Sequence, residues 1–212
     1  MRVTLVLPCL LGMFGVSCTS CAPGAPAQPA LEGAVATAAQ DVPVPHRGAD
    51  GSFPAQLQWQ GHTLQRNGSG LCEWGLFGID LYVAAFYTER PVRDLAGALE
   101  PPQRTVIHLH FVRGLTKEQL CEAYTASVRA NAGDRFDQFA PSLQKLLATM
   151  EGSRIDDSYT FCGAPGQGLT VYHGNRLVGS IADEEFRRLF LQLYLGDQPP
   201  TKALRDALLG NQ

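Results

Sequence analysis

Strand-like and helix-like segments of this chain come in blocks rather than in alternation, and this order constrains the fold more than any other feature. Four strand patterns come first, with one short helix between the last two. Two helical patterns, three further strands and two final helices follow. Regular alternation of strands and helices would predict a parallel sheet, whereas grouped strands predict an α+β fold with a mostly antiparallel sheet.

The strand patterns are rich in β-branched and aromatic residues and are bounded by turn residues. Residues 57–65 alternate around Gly61-His62 and predict a hairpin, and a turn cluster is predicted from Asn67 to Gly70. A flexible glycine-rich loop is predicted over 163–168. The remaining strands are predicted over Ile79–Tyr87, Thr105–Phe111, Ser158–Cys162, Leu169–Tyr172 and Arg176–Ile181.

The helices carry recognisable start signals. Thr116 and Gln119 fit a capping box, and Leu120, Ala123, Tyr124 and Val128 follow at helical spacing. Asp183 is a suitable N-cap for a helix over 184–194 with acidic residues in its first turn. Further helices are predicted over 93–99, 136–147 and 201–209, with a kink or a new start at Pro141. Arg187-Arg188 is expected on a solvated helix face.

The first 18 residues resemble an export signal, in which Arg2 precedes an apolar stretch from Val3 to Val16. Small residues before Cys18 resemble a lipobox, which would make that cysteine the site of lipidation. Cleavage at the Ala25-Pro-Ala27 pattern is the alternative, and a retained anchor is the third. All three predict an exported domain. The lipobox interpretation predicts a periplasmic lipoprotein, whose only contact with the membrane is its N-terminal lipid anchor. Residues 19–50 are rich in Ala and Pro and predict a disordered tether before a domain over 51–212.

Charge and motif content exclude several functional classes. The 17 Lys and Arg residues against 20 Asp and Glu give a net charge of −3, which argues against a nucleic-acid binder. The sequence has neither a phosphate-binding loop nor zinc-finger spacing, so no cofactor is expected. The cysteines of the domain are Cys72, Cys121 and Cys162. Export permits disulfides, in which case the odd cysteine stays free or pairs with Cys21, and buried free thiols are the alternative.

Four segments, in this order along the chain, resemble the chalcone isomerase-like family in its bacterial exported branch. They are Gly68-Ser-Gly-Leu with the strand from Phe77 to Tyr87, Val106–Arg113, Arg176–Ile181 and Phe190–Pro199. The resemblance covers about residues 56–210. It implies an open-faced β-sandwich, in which helices pack on one face of a long curved antiparallel sheet and a ligand lies between them. Family members either cyclise chalcones to flavanones or bind fatty acids without catalysis, so the site residues must decide between the two.

The site residues of the family carry over only in part. Its enzymes and its fatty-acid binders have an Arg directly after the Gly-x-Gly-apolar segment, where a guanidinium can hold a carboxylate. Cys72 stands at that place in this chain, and Tyr82 stands where the enzymes have a Thr. Other enzyme positions align near Leu120, Ser127 and Arg187 or Arg188. These departures disfavour chalcone cyclisation.

Two histidines on one predicted strand are further candidates, because His108 and His110 are two residues apart and share a face. A polar pair on the cleft side or on a solvated face is one interpretation, and a general-base role, for which His110 is the candidate, is another. A metal site would need a third ligand, for which His62 and His173 are candidates only in principle, so no metal is predicted.

Three functional hypotheses follow. The first is an exported domain that binds a small amphipathic ligand, a fatty acid or an aromatic acid, with no or weak catalysis. Its polar cleft residues would be Tyr82, His110, Arg113 and Tyr124, although an ion pair for Arg113 and core packing for Tyr124 are the alternatives. The second is an isomerase of the intramolecular lyase type, with Tyr82 as electrophile and His110 as base. The third is an envelope scaffold that binds a protein partner, which the sequence does not identify.

Overall fold

A computed structural model describes residues 42–47, 51–74 and 78–211. Seven strands form one antiparallel sheet in chain order, and they are β1 Gln56–Trp59, β2 His62–Trp74, β3 Ile79–Thr88, β4 Thr105–Phe111, β5 Ser158–Ala164, β6 Gly168–His173 and β7 Arg176–Ile181. The α-helices are α1 Leu95–Leu99, α2 Lys117–Ala132, α3 Phe136–Ala148, α4 Glu184–Leu195 and α5 Lys202–Leu208. The predicted α+β fold, a curved antiparallel sheet with helices packed on one face, is confirmed.

The N-terminal predictions lie largely outside the described residues. The predicted signal over 1–18, with Cys18, and the tether up to residue 41 belong to this part of the chain. Residues 42–47, at the end of the predicted tether, lie against the sheet: Pro43 and Pro45 are buried, and Val44 packs against a buried cluster on the sheet. None of the helices among the described residues is long and apolar enough to cross a membrane.

The local signals placed most elements correctly. Gln60 and Gly61 both have positive φ angles, of 51° and 75°, so β1 and β2 are joined by a tight two-residue turn whose twist suits a hairpin. Thr116 forms the predicted capping box with Gln119, and the Asp183 carboxylate caps α4 by accepting from the Phe186 amide. Pro141 lies inside α3, so the predicted new helix start there is wrong.

The predicted turn from Asn67 to Gly70 is wrong, because these residues lie within β2. A Cβ atom at Gly68 would lie 2.0 Å from the carbonyl oxygen of Ala207, and one at Gly70 would lie 2.6 Å from the Ala207 Cβ. The Asn67 amide donates to the Leu208 carbonyl at 2.8 Å. Glycines therefore mark the place where helix α5 lies directly on the sheet.

Arg187 is fully buried, so the predicted solvated face is wrong for this residue. Its Nε and Nη2 donate to the Glu184 carboxylate at 2.9 and 2.6 Å. Its stem packs on Gly163, where a Cβ would lie 3.1 Å from the arginine Cγ and Cδ. Gly163 belongs to β5, which extends to Ala164, so the predicted loop over 163–168 is shorter than expected. Arg188 keeps partial exposure and pairs with Glu100 at 2.7 Å.

Side-chain alternation gives the sheet two buried faces. The main core lies between the sheet and the helices, and in β4 it receives Ile107, Leu109 and Phe111. The second core lies on the opposite face and includes Phe53, Tyr87, Val106 and Cys162. Cys72, Cys121 and Cys162 are free thiols, so the predicted disulfide alternative is wrong for these three.

His108 points to the second face, where it is 1% exposed and its Nδ1 lies 2.9 Å from the Thr160 hydroxyl oxygen. Burial, with smaller effects from His110 and His46, lowers the pKa of His108 to about 3. The unfolded chain takes up this proton near pH 6.5, so the folded state loses stability as the pH falls from about 6.5 towards 3.

We therefore expect His108→Gln to remove part of the acid sensitivity. Between pH 7 and pH 4.5, the wild-type protein should lose about 2 kcal/mol more unfolding free energy than the variant. Urea unfolding of both proteins at the two pH values measures this difference. Equal losses in the two proteins would contradict a neutral, buried His108.

Candidate functional site

A cavity of about 260 Å³ opens between the sheet and helices α2 and α4. Most of its lining is aliphatic or aromatic, with a few polar groups. The described residues that line it are Cys72, Glu73, Leu81, Tyr82, Leu109, Phe111, Leu115, Leu120, Ala123, Tyr124, Ser127, Leu193, Tyr194 and Pro200. Such a combination of apolar walls and few polar groups is typical of small-molecule sites.

The strand alternation of β3 and the helical spacing of α2 explain why these side chains face the cavity. In β3, Tyr82 alternates with Val83 and therefore shares the helix-facing side with Ala84 and Phe86. In α2, Leu120, Tyr124 and Ser127 follow one another at spacings of four and three, which place them on one helical face. The capping box at Thr116 sets where this helix begins, and so which residues face the sheet.

Three phenols and a thiol supply the buried polar groups of the cavity. The hydroxyl oxygens of Tyr124 and Tyr194 lie 3.1 Å apart and share a hydrogen bond. Tyr82 and Cys72 are register partners on the neighbouring strands β3 and β2, and both line the cavity. Tyr124 also stacks on Phe190, with ring centroids 6.1 Å apart, which holds its ring in place.

These groups stay protonated at neutral pH. Burial is the main cause that raises the pKa of the Tyr82, Tyr124 and Tyr194 phenols and of the Cys72 thiol. A raised pKa keeps each group a neutral hydrogen-bond donor and acceptor. The cavity therefore offers hydrogen bonds without charge from its buried polar groups.

Glu73 is the charged residue among the described cavity-lining residues, and its side chain is exposed. None of these described residues is Lys, Arg or His. The part of the lining that the structure describes thus has no cation that could pair with an anionic ligand.

Two of the four predicted ligand-binding residues, Tyr82 and Tyr124, line the cavity. Tyr124 fills both roles considered for it, since it is buried in the core and also faces the cavity. Cys72, Leu120 and Ser127, the positions aligned with family site residues, line the same cavity.

His110 and Arg113 do not share this site. Leu109 and Phe111 of β4 face the helices, so His110 points to the opposite face, where it lies 3.3 Å from Asp156. Arg113 is exposed in the segment after β4 and is not among the described lining residues. The placement of these two residues in the cleft is therefore corrected, and His110 cannot act as a base for a ligand beside Tyr82.

The other histidines considered as metal ligands lie apart from the cavity. His62 pairs with Glu89 at 3.0 Å, and His173 pairs with Glu151 at 3.2 Å. Within the part of the chain that the structure describes, no group of three or more His, Cys, Asp or Glu side chains could hold a metal ion.

The sequence analysis did not identify two polar cavity residues, Tyr194 and Glu73. Tyr194 follows Phe186 and Phe190 at intervals of four, so the three aromatic rings lie along one face of α4. That stripe was a usable signal for Tyr194. Glu73 is a single acidic residue in a strand, and no sequence pattern marks it as a cavity residue.

Comparison with known proteins finds both a family match and similar solved structures. A family model described as chalcone isomerase-like matches residues 47–210. The crystal structure of a fatty-acid binding protein from Arabidopsis thaliana, AtFAP1, is similar, with a TM-score of 0.64 and 21% sequence identity over 79% of this chain and 96% of that one. At this identity the likeness shows the fold alone. No curated protein matches this chain in sequence.

Proposed function

Since the chain belongs to the chalcone isomerase-like family, we propose that it binds a small amphipathic ligand in the cavity between sheet and helices, without catalysing a reaction. The observation that supports this proposal most strongly is the cavity itself, which has apolar walls and the phenol groups of Tyr82, Tyr124 and Tyr194. AtFAP1, by its name a fatty-acid binding protein, supports ligand binding on this fold.

The cavity volume limits the size of the ligand. At about 260 Å³, the cavity is smaller than the roughly 300–1,000 Å³ of pockets for drug-sized molecules. If each water-sized group takes up roughly 30 Å³, the cavity has room for about nine such groups. A medium-length chain or a compact aromatic molecule fits this volume, and a long acyl chain would extend through the opening.

The chemistry of the lining supports binding rather than catalysis. A general base needs a pKa near the working pH, whereas burial raises the pKa values of the Tyr82, Tyr124 and Cys72 side chains. His110 lies on the other face of the sheet. Cys72 also replaces the arginine of the family's enzymes, so that position supplies no cation to stabilise developing negative charge.

Export belongs to the same proposal. The apolar segment before Cys18 and the Ala/Pro-rich stretch over 19–50 favour a domain held at the envelope by a lipid on that cysteine. The mass of the N-terminal peptide of the mature protein distinguishes lipidated Cys18 from cleavage after Ala27.

Ala123→Trp tests whether binding takes place in this cavity. Ala123 is exposed on α2 and lines the cavity, so an indole there covers the opening without entering the main core. Ala126, also exposed on α2, is not among the described lining residues, and Ala126→Trp is the matched control. The probe is 1-octanol, whose nine heavy atoms suit the volume.

We expect the full-length protein to bind 1-octanol with a Kd on the order of 10–100 μM, from about 0.8 kcal/mol per buried methylene. Ala123→Trp should weaken this binding at least about tenfold, and Ala126→Trp should leave it unchanged. Isothermal titration calorimetry measures both. Absent binding in the wild type, or equal binding in all three proteins, would refute ligand binding in this cavity.

A further inference from the structure

We infer that the ligand of this cavity has an uncharged polar end, such as an alcohol, a carbonyl or an ester, and that the cavity rejects carboxylates. The inference rests on the proposed function and narrows it to a chemical class. It departs from the fatty or aromatic acid that the sequence led us to expect.

The number of available protons is the first argument. Tyr124 and Tyr194 carry two protons and use one in the hydrogen bond between them, so this pair offers a ligand one donor. Tyr82, Cys72 and Ser127 can each add one neutral O–H or S–H donor. A carboxylate has about four acceptor sites, so all of these donors, including a weak thiol, would have to converge on it, whereas an alcohol or a carbonyl needs only one or two of them.

The lack of positive charge is the second argument. A buried carboxylate needs a cation or several strong donors to offset the loss of its hydration. The described lining residues include no Lys, Arg or His, and the one charged residue among them, Glu73, repels an anion. Lys117 and Arg113 lie on nearby segments but are exposed, and neither is among these lining residues.

The buried polar groups of the cavity can bind a neutral ligand group either as hydrogen-bond donors or as acceptors. Phenol and thiol groups can each donate or accept a hydrogen bond. An alcohol can therefore donate to one of these groups and accept from another, and a carbonyl can accept from two of them. Because each group is neutral, the ligand meets hydrogen-bond partners without having to balance a charge.

The test compares 1-octanol with octanoate, two ligands with the same number of carbon atoms. We expect the full-length protein at pH 7.5 to bind 1-octanol on the order of 100-fold more tightly than octanoate, because the anion loses hydration without gaining a partner. Titration calorimetry at constant ionic strength measures both. Octanoate binding as tight as 1-octanol binding, or tighter, would overturn the inference and leave the proposed function standing.

Two charge variants make the test specific. Cys72→Arg places a cation inside the cavity and should invert the preference in favour of octanoate, whereas Cys72→Met adds bulk without charge and should preserve the order. Because the buried arginine can impair folding, Glu73→Lys serves as a second variant at an exposed position. It should strengthen octanoate binding about fivefold to tenfold relative to 1-octanol binding, with Glu73→Gln as its control.

The outcomes separate the two claims. Failure of both ligands to bind, or binding that Ala123→Trp leaves unaffected, would refute the proposed function. Binding of both ligands in the cavity with no preference for 1-octanol would refute only the uncharged ligand. If Cys72→Arg and Glu73→Lys both fold and neither gains octanoate affinity, charge does not control ligand choice and the inference fails.

Discussion

Gly68→Ala should lower the free energy of unfolding by about 3 kcal/mol or more, at the upper end of overpacking effects. The new Cβ would lie 2.0 Å from the Ala207 carbonyl oxygen and 2.6 Å from that of Leu208. Both are backbone atoms, so no side-chain rotation relieves the clash. Helix α5 must move away from β2, which exposes the fully buried Leu204 and breaks the hydrogen bond from Asn67 to Leu208.

Gly97→Ala is the matched control for this substitution. Gly97 lies inside α1, where the nearest atom to a new Cβ is an oxygen of the Asp94 side chain at 3.3 Å. Alanine is favoured over glycine in a helix by up to about 1 kcal/mol, so we expect neutral or slightly increased stability. Urea unfolding of the full-length proteins measures both variants. A loss below about 1 kcal/mol for Gly68→Ala would contradict the direct contact between α5 and β2.

Glu184→Gln should cost about 3 kcal/mol of unfolding free energy, because it leaves the buried Arg187 charge without a counterion. Arg187 is 0% exposed, and the carboxylate of Glu184 accepts two of its N–H groups. The third guanidinium nitrogen, Nη1, has no hydrogen-bond partner within the described part of the chain. The guanidinium therefore depends on its hydrogen bonds to Glu184. Because Glu184 itself is partly exposed, we expect a loss of unfolding free energy at the lower end of the range for buried ion pairs that lose one partner.

Two further variants isolate this charge effect. Glu185→Gln removes a neighbouring acid from the same first turn of α4, but its pair with Arg135 is on the surface, so we expect a loss below about 1 kcal/mol. Arg187→Met combined with Glu184→Gln replaces the buried ion pair by neutral groups and should recover most of the stability. If Glu184→Gln and Glu185→Gln destabilise equally, helix-end electrostatics explains the loss and the buried charge does not.

Local signals were sufficient for most of the secondary structure. The capping box at Thr116, the N-cap at Asp183 and the alternating strand Thr105–Phe111 all depend on residues close in sequence, and all three were predicted correctly. The order of the strand and helix blocks predicted an antiparallel sheet with helices on one face. The resemblance of four segments to one family was confirmed by the family model over residues 47–210.

Contacts between distant parts of the chain explain the errors. Gly68 lies in a segment with the composition of a turn. Its missing side chain instead allows α5, some 140 residues later in the chain, to lie directly against β2. Arg187 looked like a surface residue, and the missing Cβ of Gly163 makes room to bury it. His110 was expected beside Tyr82, but the alternation of β4 turned Phe111 inward and His110 outward.

The sequence by itself determined most of the elements and their order, because hydrogen bonds and side-chain periodicity act between neighbouring residues. The family was indicated by the resemblance of four segments. The sequence also supplied Tyr82 and Tyr124 as polar residues of the site. Only the tertiary structure decided which face of β4 meets the helices, which glycines contact a helix, and that Tyr194 joins a cavity whose described lining has no cation. These features depend on burial and charge pairing between segments far apart in the chain, and local patterns do not contain that information.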